Sequence, residues 1–294
     1  MGSDGAMPLG KRPANGARAG KIQGGPTSFS RLKDTATVNR AGTSIHSLDR
    51  VTTGIIAGQL SQIEDLLNVI EAAPDSHMAD EARRKILKSK QKAASYLVTK
   101  VVRGEIGGVE RILALDRELV NKTDNLGRTP LQIACNFGRL DIVEFLLERG
   151  ADIDEDTLFG GTPLQIACDS GKLDVVKFLL KNGADVNKAE NDPDTPLLIA
   201  CNNGHLDIVK LLLSKEGVDV NKEDSLGQTP LLIACGNGHL DIVKLLLEKE
   251  GVDVNKADDD GLTPLNVARG RGWPVIVNLL EKARDTADDD AMET

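Results

Sequence analysis

Aromatic residues are scarce in this chain of 294 residues: one Trp, one Tyr and five Phe. A folded body with so few rings must pack on Leu, Ile, Val and Ala, which suits a helical array better than a sandwich or barrel. Long apolar runs are absent as well. No stretch approaches the roughly 20 apolar residues of a membrane-spanning helix, and no short apolar run follows a charged start as in a secretory leader. Ala6 stands where myristoylation of Gly2 favours Ser or Thr. No G-x-S-x-G, H-E-x-x-H or phosphate-loop pattern occurs, so no enzyme, cofactor or metal centre is expected.

The net charge of −9 is unevenly spread. Residues 1–45 hold Lys11, Arg12, Arg18, Lys21, Arg31, Lys33 and Arg40 against Asp4 and Asp34, or +5. Residues 283–294 hold Arg284 against Asp285, Asp288, Asp289, Asp290 and Glu293, or −4, which leaves −10 between the two ends. An acidic body repels nucleic acid and anionic lipid and favours a basic partner surface. The Gly/Ala/Ser-rich 1–45 segment lacks hydrophobic periodicity and reads as a disordered basic arm. Residues 283–294 read as an acidic disordered tail.

What the chain has in abundance is itself. "TPLQIAC" at 129–135 returns at 162–168, "TPLLIAC" follows at 195–201 and 229–235, and "TPLNVAR" closes the series at 263–269. The threonines step by 33, 33, 34 and 34 residues, a period that marks stacked repeats. Thr before Pro predicts a helix start, with the hydroxyl as cap and Pro in the first turn. Gly138, Gly171, Gly204 and Gly238 end that short helix, and a second follows with Leu140, Ile142, Val143, Leu146 and Leu147 inward. Tips at Gly127, Gly160, Gly227 and Gly261 complete the unit.

The period and the T-P-L pattern resemble ankyrin repeats. The second-helix pattern recurs earlier, at Gly104, Ile106, Val109, Ile112 and Leu113, and at Gly58, Leu60, Ile63, Leu66 and Leu67. The chain therefore divides into the arm (1–45), degenerate ankyrin-like helices over 46–123 with an insertion near 74–91, five repeats over 124–282, and the tail (283–294). The expected fold is an all-α repeat solenoid with β-hairpin-like tips, five regular units and two degenerate ones. In the last unit Arg269 and Glu281 replace the usual Cys and Leu, so nothing is expected to stack beyond it. The family's His after T-P-L is Gln132, Gln165, Leu198, Leu232 or Asn266 here, which alters its hydrogen bonding. Pro193 replaces the third tip's Gly, so that turn must differ in shape.

The resemblance implies a non-catalytic interaction scaffold or adaptor that binds another protein through the turn tips and the concave face of the first helices. Specificity there must lie in positions that vary between units. At the tips these include Asn125, Leu126, Arg128, Leu158, Phe159, Asn191, Asp192, Asp194, Leu226, Gln228, Asp259, Asp260 and Leu262. On the first helices they include Phe137, Asp169 and Asn202. Leu126, Phe137, Leu158 and Phe159 suggest an apolar anchor, and the later tips acidic steering, hence a partner with a basic and apolar surface. The opposing reading is that the tip leucines pack between neighbouring tips. Other classes considered are a membrane or cytoskeletal tether through the basic arm, and a small-ligand receptor, which the aromatic-poor face disfavours. No nucleic acid is expected on the array, and the chain is expected to be monomeric.

Asn187, Asn221 and Asn255 follow Asp-Val, with Leu179, Leu213 and Leu247 eight residues before them. By resemblance they are similar to sites of asparaginyl hydroxylation in ankyrin proteins; from the residues alone, a turn-shaping hydrogen bond is the preferred reading. Cys135, Cys168, Cys201 and Cys235 occupy one repeated position and read as small buried residues. Free buried thiols point to a reducing, cytoplasmic setting. Arg83, Arg84, Lys85, Lys88, Lys90 and Lys92 form a candidate nuclear address or, preferably, a solvated helix face. His205 and His239 share a slot with Arg139 and Lys172, which argues against catalysis or metal binding.

Overall fold

Each regular unit begins with the same local chemistry. Thr129, Thr162, Thr195, Thr229 and Thr263 lie in extended backbone, and each hydroxyl accepts the N–H three residues on. The Pro that follows has no N–H to leave unpaired in the first turn. The computed structural model describes residues 61–157, 161–189 and 193–292. The 1–45 arm lies outside these residues, as do Gly58, Leu60, Leu158, Phe159, Gly160, Asn191 and Asp192.

Fourteen helices lie among the described residues. They are α1 (61–72), α2 (His77–Leu87), α3 (Lys90–Arg103), α4 (Ile106–Leu115), α5 (Pro130–Phe137), α6 (Leu140–Glu148), α7 (Pro163–Asp169) and α8 (Leu173–Lys181). Then come α9 (Pro196–Asn203), α10 (Leu206–Leu213), α11 (Pro230–Asn237), α12 (Leu240–Leu247), α13 (Pro264–Arg271) and α14 (Pro274–Met292). A 3-10 turn at Arg117–Asn121 follows α4. No strand occurs among the described residues; an isolated bridge between Thr157 and Gly161 is the one trace of hairpin pairing.

From α3 onward the helices form pairs, inner then outer, that stack in chain order. Inner helices pack closely on inner helices because Ala134, Cys135, Ala167, Cys168, Ala200, Cys201, Ala234 and Cys235 are small and fully buried. Outer helices bury Ile142, Val143 and Leu146 and their equivalents, and one continuous apolar core runs from Ile63 to Leu280. The inner helices turn back through left-handed glycines such as Gly204, at φ +75°.

The start of the array is built differently. The insertion near 74–91 is the separate helix α2, capped by Ser76, whose hydroxyl accepts the Ala79 N–H at 3.1 Å, together with the lengthened inner helix α3. Helix α1 is tied to α3 and α4 by charge. Glu64 accepts from the buried Tyr96 hydroxyl at 2.6 Å and pairs with Lys100 at 3.0 Å and Arg111 at 3.2 Å. Arg111 also reaches Glu71 at 2.6 Å and Asn68 at 2.9 Å.

At the other end, Arg269 pairs with Glu281 at 2.6 Å across the faces that in earlier units are apolar. The expected disordered tail is corrected over 283–292, which continue α14 to Met292. The physical reason is local: no Gly or Pro follows Pro274, and Ala283, Ala287 and Ala291 are the strongest helix formers.

Candidate functional site

Three of the turn tips are each closed by an aspartate. Asp124 Oδ1 accepts the N–H groups of Leu126 at 2.8 Å and Arg128 at 3.0 Å, while Oδ2 holds the Arg128 guanidinium at 2.8 Å. Asp224 does the same for the N–H groups of Leu226 and Gln228, both at 2.8 Å, and Asp258 for Asp260 at 3.1 Å and Leu262 at 2.8 Å. These three aspartates shape the tips that carry the candidate binding positions. Their signal was available, since each stands three residues before a tip glycine, at Gly127, Gly227 and Gly261.

Held this way, the tips present apolar side chains to solvent. Leu126 is 62% exposed and Leu226 is 49% exposed, so the reading in which they pack between tips does not describe them. Phe137, 43% exposed, sits at the far end of α5, roughly 12 Å along an eight-residue helix from the tip. It thus lies apart from Leu126 rather than beside it. Asn125 is exposed and accepts from Gln91 Nε2 at 2.6 Å, which ties the first tip to α3. Asp259 and Asp260 are exposed, Leu262 is half-buried, and the Asp259 N–H donates to the Leu226 carbonyl at 3.1 Å. Asp194 is corrected: it is 4% exposed, and its carbonyl accepts Gln165 Nε2 at 2.7 Å, so it belongs to the interior and not to the tip surface.

On the concave side, the variable positions pair between units before they meet any partner. Ser170 donates to Asn136 at 2.7 Å, Asn203 to Asp169 at 3.0 Å, and Asn237 to Asn202 at 3.0 Å. The altered T-P-L position has two outcomes in the first four regular units. Gln132 and Gln165 close capping boxes and also reach the next unit, Gln132 Nε2 donating to the Gly161 carbonyl at 2.6 Å. Leu198 and Leu232 are simply buried.

Three repeated positions that could suggest chemistry make packing or inter-unit contacts. The four cysteines are buried, and burial pushes the thiols of Cys135, Cys168 and Cys201 far above their ordinary value and that of Cys235 up to about 12. They are thiols at neutral pH, unsuited to act as nucleophiles or metal ligands. The residue that opens each outer helix reaches back over the preceding unit's glycine. Arg139 lies on Gly104, Lys172 on Gly138, His205 on Gly171, His239 on Gly204 and Trp273 on Gly238. A Cβ at Gly204 would come within 2.7 Å of the His239 ring. His205 and His239 Nε2 also donate to the carbonyls of Asp169 and Asn202, each at 3.3 Å.

Asn187 and Asn221 bridge to the following unit. Each amide donates to a glycine carbonyl (Gly217 at 2.7 Å, Gly251 at 2.6 Å) and accepts an N–H (Asp219 at 3.0 Å, Asp253 at 2.9 Å). Asn255 is exposed; the outer helix of the unit that follows it, α14, runs on to Met292 where the earlier units turn through a glycine. No cluster of three or more His, Cys, Asp or Glu positioned for a metal ion occurs among the described residues, and no helix there is long and apolar enough to cross a membrane.

A family model for ankyrin repeats in three copies matches residues 93–190, 155–224 and 197–290. An ankyrin repeat protein of fowlpox virus is 44% identical over 46 residues, which cover 16% of this chain and 24% of that protein. The shared stretch is thus a small part of either chain. With the stacked helix pairs and the model matches both extending from α3 into α14, the chain belongs to the ankyrin repeat family.

Proposed function

We propose that this array is a non-catalytic interaction module, a scaffold or adaptor, that binds a partner protein along its concave face and turn tips. Ankyrin repeats are protein-interaction modules. The observation that carries the reading here is the pair Leu126 and Phe137, large apolar side chains left exposed on an otherwise well-buried unit. Exposed Leu226, Asp259 and Asp260 extend the surface, so the partner surface is apolar opposite the first unit and basic opposite the last. Arg128, Gln228, Asp169, Asn202 and Leu262 line its edges; Leu158, Phe159, Asn191 and Asp192, outside the described residues, stay candidates on the sequence pattern alone. Asp194 is left out because it is buried. Protonated, buried thiols fit a cytoplasmic or nuclear setting.

The test is affinity capture by the full chain, wild type against Leu126→Ser/Phe137→Ser, followed by direct binding of the captured protein. The expected result is at least a tenfold loss of affinity, about 1.4 kcal/mol, with unchanged thermal stability. Equal binding by the folded double variant removes the apolar anchor.

A further inference from the structure

The inter-unit bridges have one exception. Asn121 donates to the Gly150 carbonyl at 3.2 Å and accepts the Asp152 N–H at 3.1 Å, as Asn187 and Asn221 do with Gly217/Asp219 and Gly251/Asp253. Between the first and second regular units the same place holds Asp154. It accepts the Asp185 N–H at 3.1 Å. An ionised carboxylate has no hydrogen to donate. The carbonyl in the register-equivalent place, that of Gly183, therefore receives nothing from residue 154.

We propose that Asp154 makes this joint a proton-sensitive hinge: looser while the carboxylate is ionised, and closed by a second inter-unit hydrogen bond, to the Gly183 carbonyl, once it is protonated. Asp154 Oδ1 takes the Asp185 N–H as the asparagine Oδ1 atoms take theirs, and Asp and Asn share a shape, so Oδ2 is the counterpart of their donating nitrogen. The charged groups that face Asp154 are Asp152 on its own loop and Asp185 and Lys188 on the next. Burial is the main influence and raises its pKa, with Asp185 and Asp152 adding to it, against the Asp185 N–H and Lys188. A carboxyl whose folded pKa is raised favours the folded joint in its protonated form. That contribution is present at low pH and is lost as the pH rises through the folded value.

The experiment is hydrogen–deuterium exchange on the full chain, read on the peptide that carries Gly183 and Asp185, for wild type, Asp154→Asn and Asp152→Asn. Asp154→Asn installs the missing donor, and Asp152→Asn removes a neighbouring charge without installing one. At neutral pH, Asp154→Asn is expected to slow exchange roughly fivefold, the worth of one net hydrogen bond, and Asp152→Asn to change it less than twofold. After correction for intrinsic exchange, wild type should approach the Asp154→Asn rate as the pH falls to about 4, near the ordinary carboxylate value. Wild-type exchange at neutral pH equal to that of Asp154→Asn overturns the hinge. Equal slowing by the two variants overturns it as well, because charge removal alone would then account for the effect.

Discussion

The two halves of the molecule are joined by opposite means. From α5 to α13 the units interlock through small side chains: Ala and Cys on the inner helices, aliphatic residues on the outer ones, and amide bridges at the loops. Helix α1 adds the buried Ile63 and Leu67, but its distinctive ties are ionic, with Glu64 taking Tyr96, Lys100 and Arg111 at once. Apolar packing carries no charge to titrate or to be screened, whereas a partly exposed ion network does. The array should therefore respond to cavities and its first helix to solution conditions.

The largest effect should come from a cavity in the interlock. Leu197→Ala, at a fully buried inner-helix position, is expected to lower unfolding free energy by about 2–5 kcal/mol in urea titration. A loss below 1 kcal/mol would mean that the units hold together by something other than packing.

A second comparison lies inside the array. Gln165→Ala strands the Thr162 N–H and the Asp194 carbonyl, both in a buried setting, and should cost about 1–3 kcal/mol. Gln165→Leu, which copies the Leu198 and Leu232 found in the next two units, keeps the buried volume and should recover part of that loss. If the two variants are equally destabilised, the bridge matters and the volume does not.

The smallest effect concerns α1. Burial tends to raise the Glu64 pKa, but hydrogen bonds from Tyr96 and Lys100 and the charges of Lys100 and Arg111 outweigh it and hold the pKa below the usual value. A lowered pKa contributes stability above the unfolded value and loses it as pH falls through the folded one. Acidification, or Glu64→Gln at neutral pH, should thus loosen residues 61–72 by about 0.5–1 kcal/mol, read by limited proteolysis. The rest of the array should keep its protection, and equal loosening throughout would contradict the division drawn here.

The fold was legible because the same threonine, proline and glycine recur at one spacing, each with a local duty: cap, first turn, reversal. The separate helix α2 was legible as surplus length between Gly58 and Gly104. The binding surface was less so. Variation between units marks both residues free for a partner and residues that pair with the next unit, and sequence cannot separate Phe137, which is exposed, from Asn203, which is bound to Asp169. Asp194 misled for a related reason: it varies between units, yet it is buried. The continuation of α14 was hidden by reading charge as disorder, when no helix breaker follows Pro274.

The row in which each outer helix's opening residue rests on its predecessor's glycine has a consequence for how such a chain can change in length. The slot accepts Arg139, Lys172, His205, His239 or Trp273 because what it meets is always bare backbone. Excising or duplicating one whole block between Gly104 and Trp273 would still leave every seam with a glycine to receive whichever side chain arrives. The interior blocks are in this sense interchangeable parts, while the two terminal pieces, fastened through Glu64 at one end and Arg269–Glu281 at the other, fit only where they are.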